Sequence, residues 1–70
     1  MSDVFNIHEV ARIRTGKYAG LVGTVTGVRF VGAQQTGVRV NVEGVKNGAP
    51  MAAHVWLKRS AIERNNHHGA

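Results

Sequence analysis

Ala11-Arg12-Ile13-Arg14-Thr15-Gly16-Lys17-Tyr18-Ala19-Gly20-Leu21-Val22-Gly23-Thr24-Val25-Thr26-Gly27-Val28 decides how this chain reads. Arg12-Ile13-Arg14 is a polar–apolar–polar step, which suits a strand that turns Ile13 inward and leaves both arginines in water. Val22 to Phe30 is rich in β-branched and aromatic residues and predicts a second, longer strand. Between the two lie Gly16, Gly20 and Gly23, which can take backbone shapes that a side chain forbids. The spacing predicts a tight reversal held by these glycines. Lys17 and Tyr18 fall at its tip, so a cation and an aromatic ring are presented on a short loop.

Upstream, alternation from His8 to Arg14 puts Glu9, Ala11 and Ile13 on one face and Val10, Arg12 and Arg14 on the other. Ala11 and Ile13 are expected inward. Val4, Phe5 and Ile7 predict that residues 1–8 form an N-terminal strap over one open end of a barrel. Downstream, Val25, Val28 and Phe30 cannot share a face at a period of two. Gly27 marks the slip and predicts a bulge or sharp bend.

Residues 31–37 read as a polar, glycine-bounded connection. Val38-Arg39-Val40-Asn41-Val42-Glu43 alternates cleanly, with its three valines toward the core. Residues 44–50 read as a loop around the turn pair Asn47-Gly48, and Pro50 is excluded from a central strand. A fourth strand, Met51 to Leu57, turns Val55 and Leu57 inward and His54 and Trp56 outward. Lys58 to Ala61 makes one short turn, Ile62 returns on a last strand, and residues 65–70 are expected to form a flexible tail. The expected core is Ile13, Val22, Val25, Val28, Val38, Val40, Val42, Val55, Leu57 and Ile62.

The pattern Ile13-x-x-Gly16-x-Tyr18-x-Gly20-x-x-Gly23-x-Val25-x-x-Val28 resembles the KOW motif of NusG-type elongation factors and several ribosomal proteins. Val55-Trp56-Leu57-Lys58-Arg59-Ser60-Ala61-Ile62-Glu63 resembles the closing segment of such domains. The pattern of strands and bends predicts an all-β fold: a small five-stranded SH3-like barrel over residues 9–64, with one short helical turn before the last strand. The resemblance implies the same fold. It also implies that the loop bearing Lys17 and Tyr18 meets RNA or protein. No counterpart of the polymerase-contacting amino-terminal domain of NusG-type factors is expected, and with it no direct elongation-factor role.

Nine Lys and Arg against four Asp and Glu give a net charge of +5, which favours an anionic partner, nucleic acid first. Arg12, Arg14, Lys17, Arg29, Arg39, Lys58 and Arg59 are candidate phosphate contacts, and Tyr18 and Trp56 are candidate stacking platforms. The four carboxylates, Asp3, Glu9, Glu43 and Glu63, form no acid–base pattern, and no phosphate-cradling loop precedes a helix.

Ala61-Ile62-Glu63-Arg64 also resembles the end of the type II dihydrofolate reductases. That family's Val-Gln-Ile-Tyr run is replaced here by Ala53-His54-Val55-Trp56-Leu57, and no enzymatic activity is expected. With no cysteine, and with His8, His54, His67 and His68 outside zinc-like spacing, neither a metal nor a cofactor is expected. No apolar run approaches the ~18 residues that cross a bilayer. Met1-Ser2-Asp3-Val4-Phe5-Asn6 lacks the regions of a signal peptide, so a soluble, cytoplasmic protein with no membrane partner is expected. The functional expectation is an RNA-binding module, with RNA preferred to duplex DNA. The alternative is a protein-interaction or structural subunit that docks on a larger protein or ribonucleoprotein assembly, or self-associates as a homo-oligomer.

Overall fold

The computed structural model describes residues 4–64. The strands are β1 (Val10–Ile13), β2 (Val22–Val31), β3 (Gln34–Lys46), β4 (Ala49–Lys58) and β5 (Ile62–Arg64), with a 3-10 turn at Arg59–Ala61. They form one antiparallel sheet in the order β4-β3-β2-β1-β5. This order, with a 3-10 turn ahead of the closing strand, is that of a small SH3-like barrel. The first and last strands lie side by side, and no helix among the described residues is long and apolar enough to cross a membrane. The expected tail over residues 65–70, and residues 1–3 of the expected strap, lie outside the described residues.

Two tight hairpins build most of the sheet. Asn47 and Gly48 both have positive φ, at 55° and 80°, and join Lys46 directly to its partner Ala49. That is the two-residue turn for which Asn-Gly is suited, because its twist matches the flanking strands. The expected loop over residues 44–50 is therefore mostly strand. Pro50 falls within β4, an edge strand of the sheet, where a missing N–H costs no ladder bond. The connection expected over residues 31–37 is likewise shorter: Gly32 and Ala33 alone join Val31 to Gln34. Gly32, at φ 61°, takes the first turn position, where a side chain would be strained.

The β2–β3 ladder slips twice, between Val25 and Gly27 and between Arg29 and Phe30. The first slip is the bulge expected at Gly27. Thr26 is the extra residue, so Val25 and Val28 both face inward, against Val40 and Val38. The second makes Thr36 the extra residue of β3. Gln35 thereby turns to the inner face although its parity in the strand is opposite to that of Val38 and Val40.

The core is Phe5, Ala11, Ile13, Leu21, Val25, Val38, Val40, Val42 and Ile62, with Val28, Val55 and Leu57 half-buried against it. Val22, expected inside, is 39% exposed. Gly23 takes the inner face instead, opposite Val42, and it is a strand residue rather than part of the reversal. A Cβ there would lie 3.0 Å from the Asn41 carbonyl oxygen, so the close approach of β3 requires glycine. Leu21 fills the space beside it. Val55 and Leu57 stay half-buried because β4 has a neighbour on one side only.

Phe5 belongs to the expected strap and is 1% exposed, although Ile7 remains exposed. The Gln35 side chain, itself 5% exposed, holds the strap in place. Its Oε1 accepts from the Phe5 N–H at 2.9 Å, and its Nε2 donates to the Phe5 carbonyl at 2.9 Å. The amide thus imitates a strand partner for one residue. Among the described residues, no buried side-chain N or O lacks a partner. Gln35→Ala strands both Phe5 backbone groups, at about 1–3 kcal/mol each. In a domain of this size we expect the melting temperature to fall by at least about 8 °C. An unchanged thermal transition would mean that the strap is held by other contacts.

Candidate nucleic-acid interface

The outer face of β2, β3 and β4 carries a grid set by register. One row is Gly27, Arg39 and Trp56; the next is Arg29, Gly37 and Lys58. The two glycines alternate with side chains, leaving space for neighbours to lie across the sheet. A Cβ on Gly27 would lie 3.4 Å from the Trp56 ring, and one on Gly37 would lie 4.0 Å from the Arg29 Cβ. Arg29 extends over this space to place its guanidinium 4.6 Å from the Trp56 ring centroid, and Arg39 places its own at 5.6 Å.

The bulge aims Arg39. Thr26 lies outside the regular ladder, and its carbonyl and hydroxyl are available to the neighbouring strand. Arg39 donates from Nε to Thr26 Oγ1 at 3.1 Å and from its terminal NH2 to the Thr26 carbonyl at 3.3 Å. Thr26 Oγ1 lies 2.7 Å from His54 Nε2, and the histidine tautomer sets the direction of that bond. Trp56 remains 45% exposed and is flanked by two cations. Lys58 follows it on the same strand face and has no ion-pair or hydrogen-bond partner among the described residues.

Of the residues singled out in the sequence, Arg29, Arg39, Trp56 and Lys58 are thus brought together. The others are not. Arg12 and Arg14 flank Glu63, with Nε–carboxylate distances of 3.7 and 3.9 Å in exposed pairs. Lys17 lies 5.7 Å from the Tyr18 ring centroid, and its carbonyl accepts from Lys46 Nζ at 2.8 Å. Tyr18 is half-buried and packs against the core, so it does not stand out as a platform. Arg59 stacks at 4.5 Å on the Phe5 ring and donates to the Ile62 carbonyl at 3.2 Å.

Sequence reasoning missed Gly27 and Gly37 as spacers, and Thr26 and His54 as supports. Gly32-Ala33, read as a two-residue turn, sets Val31 opposite Gln34 and Phe30 opposite Gln35. The bulge at Thr36 is also needed to bring Arg29 opposite Gly37 and Gly27 opposite Arg39.

Among the described residues, no group of three His, Cys, Asp or Glu could hold a metal ion. What the outer face offers is a flat aromatic surface, two guanidinium planes and an exposed ammonium. Side chains of these types are able to stack with unpaired bases and to neutralise phosphate. No protein-family model matches the chain, and no curated protein or solved structure shows significant similarity to it.

Trp56 is the single tryptophan, so its fluorescence reports on this face alone. Arg29→Ala uncovers the ring. We expect red-shifted emission and stronger quenching by acrylamide, with a stability change of at most about 1 kcal/mol, the scale of an exposed cation–π contact. Unaltered quenching would place Arg29 away from the ring in solution.

Proposed function

We propose that this domain is a non-enzymatic module that binds single-stranded nucleic acid, RNA in preference to duplex DNA, on the outer face of β2, β3 and β4. The observation that carries the reading is Trp56, half-exposed between Arg29 and Arg39, with Lys58 beside it. A base stacked on such a ring contributes about 1–3 kcal/mol without regard to its identity. Stacking needs unpaired bases, which favours single strands over duplex. The resemblance of the Ile13–Val28 stretch to the KOW motif favours RNA. The net charge of +5 supports an anionic partner of either kind.

A second reading, docking on a protein or on another copy of the chain, has its own observation. β4 is a ten-residue edge strand, and Val31 and Val45 are 68% and 66% exposed. Molecular mass that rises with concentration in solution without nucleic acid would favour it.

The test is a titration of fluorescently labelled oligouridylate with the protein, followed by anisotropy at several salt concentrations. Contact of Arg29, Arg39 and Lys58 with three phosphates gives a log–log salt slope of roughly −2. Trp56→Ala should weaken binding by about 1–3 kcal/mol and leave that slope nearly unchanged. Lys58→Ala should reduce the slope's magnitude by a fraction of a unit to about one. If Trp56→Ala binds RNA like the native protein, the ring is not a platform and the docking reading leads.

A further inference from the structure

A groove opens at the end of the sheet where β1, the start of β3, the end of β4 and the 3-10 turn converge. It is an open concavity of about 610 Å³, and its walls include Arg14, Lys58, Arg59, Thr36, Ser60 and Gln34. Three cations and two hydroxyls thus line one concavity, and among the described residues no carboxylate lines it.

Two of the cations are positioned by the fold. The Arg14 N–H donates to the Ala61 carbonyl at 2.8 Å, which fixes the base of that side chain against the turn. Arg59 is oriented by the Phe5 ring and the Ile62 carbonyl. Glu63, 3.9 Å from Arg14 Nε, is half-exposed and is no part of the groove wall. Screening by water keeps its pull on Arg14 small.

Lys58 belongs both to this groove and to the outer face, two residues along the strand from Trp56. That separation is roughly 6–7 Å at the rise of a β-strand. A strand stacked on Trp56 therefore runs past Lys58 toward the groove.

We infer that the groove is a phosphate-monoester site that receives the phosphorylated end of the bound strand. The assignment rests on the nucleic-acid reading of the outer face for its ligand, and on the groove's own geometry for its chemistry. An internal phosphodiester carries one negative charge, whereas a terminal monoester carries about −1.5 to −2 near neutral pH and presents three acceptor oxygens. Several cations converging on one concavity favour the more highly charged group, as do the Ser60 hydroxyl and the Gln34 amide, donors that its oxygens can accept. Along an open face the same cations would be spread over successive diesters and would not distinguish an end from the middle.

The test compares one oligouridylate in three forms: 5′-phosphorylated, 3′-phosphorylated and hydroxyl at both ends. One phosphorylated form is expected to bind at least tenfold more tightly than the hydroxyl form, and which one it is gives the polarity of the strand. The advantage should shrink near pH 5, where the monoester loses its second charge (pKa about 6). Ser60→Glu, which sets a carboxylate in the groove at an exposed position, should bring the ratio between the two forms to about one. A ratio taken within one variant is unaffected by a general loss of affinity.

Equal binding of all three forms by the native protein overturns the inference and leaves the outer-face reading standing. If no form binds, the outer-face reading fails, and titration with inorganic phosphate decides the groove. Shifts of the Thr36 and Ser60 amide resonances beyond those given by chloride at equal ionic strength would uphold it. Their absence would overturn it.

Discussion

The pairing of the Gln35 amide with the Phe5 peptide is the contact on which the rest of this structure depends. Without it, the strap would have to bury an aromatic ring while leaving a peptide group unpartnered in the interior, a cost comparable to much of what the ring gains by burial. With it, Phe5 completes a core otherwise built mainly of valine and isoleucine. The buried ring then becomes a support in turn. Arg59 and Arg64 stack on it at 4.5 and 4.6 Å, and Arg64 also pairs with Glu9 and donates to the Val4 carbonyl. A polar side chain in the core therefore reaches, through one ring, a cation that lines the groove.

The sequence revealed the parts of this fold that obey a simple period. Val38, Val40 and Val42 alternate without interruption, and Asn47-Gly48 has one favourable turn geometry. Where period two fails, the reading lost its phase. Thr26 and Thr36 each insert one residue into a ladder, and a single insertion exchanges the two faces of everything beyond it. The slip near Gly27 is legible in the sequence, but reading Gly23 as a turn residue puts Val22 on the inner face, which Gly23 itself occupies. Gln35 could not be seen as internal, since its parity and polarity both point to water; only the second bulge turns it inward. The cations and aromatic rings of the candidate site were all visible as residue types. Their grouping was not, because it depends on which residues stand opposite one another across two hairpins.

The edges of the sheet show how an exposed ladder is kept in check. β5 is three residues long and ends in Glu63 and Arg64, which limits the backbone available to another strand. β4 is longer, and Pro50 interrupts its free N–H groups near one end while Lys58 sets a charge at the other. Between them the strand presents alternating half-buried and exposed residues, with Trp56 on the outer side. The same strand therefore contributes to the core, carries the aromatic surface and bounds the sheet, so a substitution there is seldom confined to one role.

The adjacency of β1 and β5 has a consequence for how the chain reaches this state during synthesis. Phe5 leaves the ribosome early, yet its partners arrive late: Gln35 thirty residues on, then Arg59, then Arg64 near the far end. β1 likewise pairs on one side with β2, made soon after it, and on the other with β5, made last. Local hairpins can close as they emerge, but loop-closure entropy opposes these distant contacts until the whole sheet is available. Completion is thus assigned to the last strand, and a nascent chain lacking residues 62–64 has neither the second neighbour of β1 nor the Arg64 cation over Phe5. For this domain, the contacts that close the sheet can form only once β5 has been made.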